Sequence, residues 1–307
     1  MIDITLLGTG GMMPLPNRQL TSLYLKYNGH AFLVDAGEGN QVAIRKAECG
    51  FKDIDVIFLT HFHADHTAGI PGLLLTIGNS GRTEDLTIVG PKDVKDIING
   101  LRTICPILPY NIKFIELTKN IETYYMYGLT ISCFKCDHDI DCYGYCFDLQ
   151  RGGKFDPVAA KELNIPIQYW GKLQKGEIDS VEVDGKMISR DLIVGPARKG
   201  LRVTYVTDTR PIDNIKKFAR GADIFICEGM YAENTPEEFE RAIMHKHMHF
   251  LEAAKLAAES KPKAMILTHF SPKIVNPNYY EKDVTKIFPT TYIRDTFTHI
   301  YLDFEEE

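Results

Sequence analysis

Short apolar runs recur along the chain, and most of them end at a glycine or a polar residue. Their β-branched bias and their length of roughly four to eight residues predict strands. These runs are residues 2–7, 23–27, 30–35, 54–60, 86–89, 112–117, 130–135, 201–206, 222–227 and 264–267. Stretches with helical periodicity predict helices at residues 40–49, 92–103, 235–245 and 250–260, with a further helix from about residue 69. Asn28-Gly29, between two of the runs, predicts a hairpin turn.

Residues 154–196 interrupt this alternation of strands and helices. Glycine, proline, lysine and short polar runs dominate there, and Trp170, the only tryptophan, lies beside Tyr169. This composition is typical of an inserted arm rather than of a core. We therefore expect one domain over residues 1–307 that carries an arm at residues 154–196.

The run at 54–60 leads into a cluster of metal-binding residue types, Leu59-Thr60-His61-Phe62-His63-Ala64-Asp65-His66. Four donor side chains so close together are costly to bury unless they bind something. Imidazole and carboxylate suit zinc and other first-row metals. Residues two apart share a side of an extended chain, so His61 and His63 should point together, and Asp65 and His66 should serve a second metal beside the first. The alternative, a polar loop rich in histidine, is disfavoured by the spacing and the strand context.

Further candidate ligands lie at the ends of later apolar runs. Leu59-Thr60-His61-Phe62 recurs as Leu267-Thr268-His269-Phe270, and each copy closes an apolar run. Two αβ halves that place matching strand ends at one seam bring these histidines together. Asp208, after the run at 201–206, is a candidate to bridge two cations, and its alternative is a turn or helix-cap residue. His138 is the third candidate.

Four cysteines surround His138, at positions 133, 136, 142 and 146. This spacing is compatible with a structural zinc or iron–sulfur site. The alternative is that these cysteines are small buried apolar side chains.

Glu228 and His247 form a further candidate pair. A carboxylate beside an imidazole orients a proton-donating histidine. The alternative is that one of the two lies on the surface, since the neighbours His245, Lys246 and His249 are expected to be exposed.

The overall composition sets the class of protein. The chain has 307 residues, 44% hydrophobic, and carries a net charge of −6, which argues against a wholly basic nucleic-acid surface but allows a local basic patch. No apolar run reaches the roughly 20 residues that span a bilayer, and the first residues do not resemble a signal peptide. Seven cysteines in a chain of this length are no disulfide framework. We therefore expect a cytoplasmic protein without a membrane partner.

Together these residues resemble the metallo-β-lactamase superfamily, whose signature is H-x-H-x-D-H. Within it, the chain resembles the short form of the ribonuclease Z family, the tRNA 3′-processing endoribonucleases. The matching motifs are Gly8-Thr9-Gly10-Gly11, Asp35-x-Gly37-Glu38-Gly39, the histidine cluster, Asp137-His138, Tyr143-Gly144-Tyr145, Gly153-Lys154-Phe155-Asp156, Gly195-Pro196-x-Arg198-Lys199-Gly200, Asp208-Thr209-Arg210-Pro211, Glu228, His247-Met248 and Leu267-Thr268-His269.

The resemblance implies an α/β fold, a four-layer αβ/βα sandwich of two sheets flanked by helices. It implies one metal held by His61, His63, His138 and Asp208, and a second held by Asp65, His66, Asp208 and His269. It also implies that Glu228 and His247 relay a proton, that the arm grips tRNA, and that the protein is a homodimer. Zinc is the expected metal, two ions per chain, although manganese or iron(II) tolerates the same ligands.

The implied activity is the hydrolysis of a phosphodiester at the 3′ end of precursor tRNA. Two adjacent cations activate water at neutral pH, Asp65 orients that water, and His247 protonates the leaving 3′ oxygen. The expected contacts to the RNA are Arg18, Lys154, Lys172, Lys175, Arg198 and Lys199. The alternative function is that of a phosphodiesterase or another hydrolase of the same fold that acts on a substrate other than tRNA.

Overall fold

The computed structural model describes residues 1–294 and 296–305. Within these residues the chain forms two seven-stranded sheets and a two-stranded hairpin. The strands in chain order are β1 (Ile2–Gly8), β2 (Ser22–Tyr27), β3 (His30–Val34), β4 (Ile54–Phe58), β5 (Leu86–Pro91), β6 (Ile112–Leu117), β7 (Ile121–Met126), β8 (Leu129–Lys135), β9 (Tyr143–Arg151), β10 (Ser180–Val183), β11 (Lys186–Ser189), β12 (Arg198–Val206), β13 (Ile224–Glu228), β14 (Ala264–Thr268), β15 (Thr291–Ile293) and β16 (His299–Leu302).

Both sheets are mixed. The first has the order β16-β1-β2-β3-β4-β5-β6, with antiparallel pairing up to β3 and parallel pairing from β3 to β6. The second has the order β15-β14-β13-β12-β9-β8-β7, and its strands from β12 to β15 are parallel. The β2–β3 hairpin turns at Asn28-Gly29, as its sequence predicts.

Helices accompany both sheets. They are α1 (Asn40–Lys46), α2 (Ala64–Thr67), α3 (Ile70–Asn79), α4 (Val94–Leu101), α5 (Pro157–Glu162), α6 (Ile167–Lys175), α7 (Asp213–Ala219), α8 (Pro236–Met244), α9 (Phe250–Ser260) and α10 (Glu281–Thr285). Short 3₁₀ turns occupy Arg102–Ile104, Arg190–Leu192 and Pro277–Tyr280.

The two sheets pack face to face through aromatic side chains. The rings of Phe58 on β4 and Tyr145 on β9 lie 4.9 Å apart, centroid to centroid, and Phe58 also meets Phe147 at 5.6 Å. Side chains alternate across a strand, so Leu33, next to Phe32 on β3, points the other way and packs with the helices. Each sheet thus has one face against the other sheet and one against helices, which confirms the predicted sandwich.

The strand ends determine where functional side chains gather. Parallel strands β3 and β4 of the first sheet, and β12, β13 and β14 of the second, end at or next to polar residues of the predicted site. Ligands of α/β sheets bind at the carboxyl ends of parallel strands. Three residues one or two positions after these strands turn the chain in the left-handed conformation: Asp35 at φ 60°, Asp208 at φ 47° and His269 at φ 58°. Such conformations strain residues other than glycine and gather at functional sites.

The chain divides into two compact units, residues 1–147 with 202–303, and residues 148–201 with the described carboxyl-terminal residues 304–305. The second unit contains the predicted arm, 154–196, and has a small core of its own that includes Ala160, Leu173 and Ile193. Trp170 packs on Phe155 and donates its indole N–H to the carbonyl of Ile165 at 2.9 Å. The stretch is therefore folded around its own apolar centre, and its predicted role as a substrate-binding arm stays a prediction.

Among the described strands, β7, β9, β10, β11, β15 and β16 have no counterpart in the predicted apolar runs. Strand β7 alternates exposed and half-buried residues at a sheet edge, and β9 begins inside the cysteine-rich stretch, where metal binding was the competing interpretation. Among the described residues, no helix combines the length and the apolar character that crossing a bilayer requires.

Candidate metal centre

Four predicted ligands converge on one point of the seam between the sheets. His61 Nε2 lies 3.0 Å from His63 Nδ1 and 3.5 Å from Asp208 Oδ2. His138 Nε2 lies 3.3 Å from the same nitrogen of His63 and 3.9 Å from Asp208 Oδ2. The four donor atoms all lie within 4.8 Å of one another, so this group has the dimensions of a metal site.

A second group lies directly beside the first. His66 Nε2 and His269 Nε2 lie 3.3 Å apart, and Asp65 Oδ2 lies 3.5 Å and 3.6 Å from them. Asp208 turns its other oxygen, Oδ1, toward this group, at 3.4 Å from His66 and 3.1 Å from His269. The carboxylate of Asp208 therefore faces both groups, as a bridging ligand must.

The protons of the histidines are directed away from the centre. Nδ1 of His61 donates to the hydroxyl of Thr60 at 3.0 Å, and Nδ1 of His138 donates to the carbonyl of Lys246 at 3.3 Å. Nδ1 of His66 donates to Asp35 Oδ2 at 2.8 Å. The Nε2 lone pairs of these three rings consequently point inward, in the tautomer that binds a metal.

The donor set fits a pair of first-row cations. Nitrogen or oxygen ligands 2.0–2.1 Å from a tetrahedral zinc ion are about 3.4 Å from each other, and the closest donor pairs here lie 3.0–3.6 Å apart. Nδ1 of His269 is buried and has no hydrogen-bond partner within the described part of the chain. The other ring nitrogen, Nε2, is the one that faces the donor atoms of His66, Asp65 and Asp208.

Asp35 supports the cluster, a role that the sequence pattern did not assign to it. It is fully buried, and its carboxylate accepts hydrogen bonds from the backbone N–H and hydroxyl of Thr60 and from His66. One carboxylate thus fixes His66 directly and His61 through Thr60. The motif Asp35-x-Gly37-Glu38-Gly39 carried the only signal for it, and only through the family resemblance.

Gly37 and Met12 hold the short helix α2, which carries Asp65. The backbone N–H of Met12 donates to Asp65 Oδ2 at 2.7 Å. A Cβ atom at residue 37 would lie 1.9 Å from the carbonyl oxygen of Asp65, so only glycine allows this approach. Gly37 of the motif Asp35-x-Gly37-Glu38-Gly39 is therefore required by the packing of this motif against the predicted ligand Asp65.

Glu228 and His247 form the predicted pair. Glu228, at the buried end of β13, accepts from His247 Nδ1 at 3.1 Å and from the backbone N–H of Met248 at 3.1 Å, and it also accepts from the N–H of Thr209. His247 Nδ1 lies 4.0 Å from Asp208 Oδ2, so the pair adjoins the cluster, and His247 belongs to a third potential donor group with Asp208 and His269.

Arg210 and His249 anchor the segment that carries His247, and the sequence pattern missed both. Arg210 donates to the carbonyl of His247 and forms a two-pronged ion pair with Glu252 of α9. The expectation that His249 is exposed is wrong. His249 is fully buried, caps α9 through its Nδ1, which accepts from Leu251 N at 3.1 Å, and stacks on Phe239. An aromatic residue can serve as a cap here because the neighbouring ring covers it.

The electrostatics of the cluster favour added positive charge. Burial alone would raise the pKa of Asp208, but His269, His66 and His61 hold that pKa well below its usual range. Burial lowers the pKa of His61 well below its ordinary value, and the charge of His66 lowers it further. Burial alone would lower the pKa of His66, but Asp208 and Asp35 raise it well above its ordinary value, so a cation that binds this ring must displace its proton.

Asp65 and His247 also have displaced pKa values. Burial opposes ionisation of Asp65, yet hydrogen bonds from His269 and His66 hold its pKa well below the usual range. Burial alone would lower the pKa of His247, but the charge and the hydrogen bond of Glu228 raise it to about 9. His247 is therefore protonated at neutral pH and has a proton to give.

The six predicted RNA contacts are divided between the two units. The guanidinium of Arg18 donates to the carbonyls of Ile274 and Val275, and Arg18 lines a cavity of about 420 Å³. The other five belong to the second unit, where Lys154, Lys172, Lys175 and Lys199 are exposed and Arg198 is half-buried.

The four cysteines around His138 do not come together as a metal site among the described residues. All seven cysteines of the chain are free thiols, and Cys133, Cys142 and Cys146 are buried. The reading of these three as small buried side chains agrees with the structure.

Comparisons with known proteins define the class. The fold is similar to that of a metallo-β-lactamase-fold protein from Bacillus subtilis, with a TM-score of 0.69 and 18% identity over 97% of this chain and 98% of the other. It is equally similar to human short-form tRNase Z, with a TM-score of 0.69 and 21% identity over 98% and 100% of the two chains. Family models described as "Anti-Pycsar protein Apyc1" and "Beta-lactamase superfamily domain" match residues 2–105 and 189–270. The chain therefore has the metallo-β-lactamase fold.

The ribonuclease Z of Agathobacter rectalis is 48% identical to this chain over 307 residues, which cover the whole of both proteins. The chain belongs to the ribonuclease Z family. This membership confirms the predicted fold and the predicted class of enzyme, a hydrolytic endoribonuclease that processes the 3′ end of tRNA.

Proposed function

We propose that this chain removes the 3′ trailer of precursor tRNA with two zinc ions held by its buried histidine and aspartate cluster. The observation that supports this most strongly is the position of Asp208, whose carboxylate directs one oxygen to each donor group. His61, His63, His138 and Asp208 would hold one ion, and Asp65, His66, Asp208 and His269 the other. Two such cations supply a nucleophile at neutral pH and neutralise charge that builds on the phosphate.

Residues of the chain orient the water, donate the proton and hold the proton donor in place. Asp65, fixed by the N–H of Met12, has a carboxylate that stays ionised and orients the attacking water. His247, held by Glu228, donates its proton to the leaving 3′ oxygen. Arg210 and Glu252 keep the backbone of His247 in place while this happens.

The basic residues of the second unit are proposed to hold the RNA. Lys172 and Lys175 lie in the last turn of α6, three positions apart and both exposed, so they present their charges on one side of the helix. Together with Lys154, Arg198 and Lys199, and with Arg18 in the first unit, they would contact phosphates. Such contacts make binding strongly dependent on salt.

We also infer a homodimer that acts in the cytoplasm. Four apolar side chains are exposed: Val42 on α1 (52%), Leu75 on α3 (40%), Ile104 in the 3₁₀ turn after α4 (81%) and Ile107 just beyond that turn (87%). Exposed apolar side chains on adjoining elements are typical of an interaction surface. The seven free thiols fit a reducing compartment. Replacing Ile107 by Asp should dissociate the dimer in light-scattering measurements, whereas Val275→Asp, at a site that is 89% exposed, should not.

The experiment that tests the function compares three substrates: a 3′-extended precursor tRNA, the mature tRNA and bis(p-nitrophenyl) phosphate. The proposal predicts cleavage of the precursor at the end of the acceptor stem. Cleavage of the small diester alone would favour the alternative, a phosphodiesterase that acts on a substrate other than tRNA.

A matched pair of charge reversals tests the role of the second unit. The double variant K172E/K175E should lower kcat/KM for precursor tRNA and reduce its salt dependence, with hydrolysis of the small diester unchanged. K92E/K95E reverses two exposed lysines of the first unit at the same spacing and should change neither. Equal effects of the two pairs would refute the assignment of the RNA contacts to the second unit.

A further inference from the structure

Two cysteines flank the loop that carries His138, and a backbone hydrogen bond joins them. Cys136 follows β8 and Cys142 precedes β9, and the backbone N–H of Cys136 donates to the carbonyl of Cys142 at 2.9 Å. Each thiol donates to a different backbone carbonyl, Cys136 to that of Phe134 at 3.9 Å and Cys142 to that of Thr207 at 3.8 Å. Cys136 is half-buried, whereas Cys142 is buried. The pair therefore combines one accessible sulfur with one protected sulfur.

The backbone geometry suits a covalent bond between them. One backbone hydrogen bond joins the two residues, and antiparallel neighbours joined by two such bonds have Cα atoms about 5.5 Å apart. Disulfides join cysteines whose Cα atoms are usually 4.4–6.8 Å apart. The remaining requirement is that the thiols leave these two carbonyls and that the sulfurs approach each other to about 2.05 Å.

That approach would act on the metal centre. Beyond Cys136, the loop is anchored by Asp137, whose N–H donates to Thr209 Oγ1 at 3.0 Å and whose carbonyl accepts from Arg210 N at 3.0 Å. The Cys142 thiol contacts the carbonyl of Thr207, next to Asp208. The backbone N–H of Tyr143 donates to the carbonyl of Thr60, next to His61. Drawing the sulfurs together therefore pulls on segments that carry three candidate ligands.

We propose that Cys136 and Cys142 are a reversible disulfide site, oxidised by a small-molecule disulfide, and that the bond lowers the activity and metal retention of the enzyme. The Cys136 thiolate attacks the small disulfide, forms a mixed disulfide and releases one thiol. The Cys142 thiolate then attacks the Cys136 sulfur and releases the second thiol. Two protein thiols are oxidised, one small disulfide is reduced, and the two protons pass to the released thiols.

The consequence for the enzyme rests on the proposed function, but the formation of the bond does not. Because a displacement of about 1 Å in a catalytic constellation costs on the order of 100-fold in rate, we expect oxidation to reduce hydrolysis of bis(p-nitrophenyl) phosphate by about tenfold or more. The metal content should fall with it, and both should recover when the disulfide is reduced.

The test uses the purified full-length enzyme in buffers with increasing ratios of oxidised to reduced glutathione. Free thiols are alkylated, and peptide mass spectrometry measures the fraction of chains with a Cys136–Cys142 bond. We expect the wild type to lose two alkylatable thiols together with activity and metal. C136S should keep its activity under oxidation, and C49S, which removes another half-buried thiol, should behave as the wild type.

Three results would overturn the proposal. One is a stable glutathione adduct on Cys136 without the internal bond, because the second thiol would then be out of reach. Another is quantitative bond formation with unchanged activity and metal content. The third is a C136S variant that loses activity under oxidation as the wild type does. Mass spectrometry measures the disulfide independently of catalysis. Its formation can therefore be tested even if the proposed tRNA activity fails.

Discussion

The buried carboxylate of Asp35 holds Nδ1 of His66 at 2.8 Å, and the same carboxylate reaches His61 through the hydroxyl of Thr60. One side chain that does not face the cluster therefore fixes the ring orientation of two residues that do. Partners of this kind raise ligand basicity and set the tautomer that binds metal.

Replacing Asp35 by Asn should weaken metal binding by about 10- to 100-fold, because the neutral amide no longer stabilises the N–H of His66 as a carboxylate does. Titration with a chelator of known affinity measures this. Asp55→Asn is the matched control, since Asp55 accepts from His30 Nδ1 at 2.6 Å in a carboxylate–histidine pair outside the cluster. If D35N and D55N retain the same metal affinity, the supporting role of Asp35 is wrong.

The Glu228–His247 pair predicts a dependence on the leaving group. E228Q and H247N should reduce kcat on an RNA substrate by about 10²- to 10⁴-fold, because an alkoxide leaving group needs a proton. The same variants should lose far less on bis(p-nitrophenyl) phosphate, whose leaving phenolate is stable without one. Metal content should stay at the wild-type level. Equal losses on both substrates would show that His247 does not act as the proton donor.

Gly37 predicts a packing effect close to Asp65. G37A places a methyl group against the Asp65 carbonyl, and should lower the free energy of unfolding by about 1–3 kcal/mol in urea titrations. G100A is the control, because a Cβ at Gly100 in α4 meets nothing within 4 Å. G100A should be neutral or stabilising by up to about 1 kcal/mol. A G37A variant as stable as the wild type would contradict the close approach.

His249 predicts a pH dependence of stability. Burial lowers the pKa of His249, so the folded chain keeps it neutral while the unfolded chain takes up a proton below about pH 6.5. Its contribution to stability is therefore complete above about pH 6.5 and is lost as the pH falls below that value. H249S keeps a side-chain oxygen at the helix cap and removes the titration.

Urea unfolding at about pH 7.5 and pH 5.5 measures this contribution. The wild type should lose more stability than H249S between the two values. H245S is the control. His245 is exposed, directly follows α8 and takes no part in the cap of α9, so this variant should keep the wild-type dependence. Parallel pH profiles for H249S and the wild type would refute the assignment.

The part of the site that lies within one short stretch of sequence could be predicted from the sequence. His61, His63, Asp65 and His66 lie within one short stretch, so their spacing alone predicted a metal site. Asp208, His138 and His269 were candidates with open alternatives until the family resemblance grouped them, because nothing in their immediate neighbourhood distinguishes a ligand from a turn residue or a buried polar residue.

The parts that sequence reasoning missed depend on contacts between distant segments. Asp35 is 31 positions from His66, and Arg210 is 42 positions from its partner Glu252. His249 was expected on the surface because it lies close to the polar run His245-Lys246-His247, yet Phe239 of α8 covers its ring. No periodicity in the chain encodes such tertiary packing.

The central claim is that seven side chains hold a pair of cations, and the most direct test is the metal content of the active enzyme. Inductively coupled plasma mass spectrometry on the wild type should find about two zinc equivalents per chain. D208A should retain less than about one, because this residue faces both donor groups. An active wild-type enzyme with a single metal per chain, or a D208A variant with both metals retained, would contradict the account.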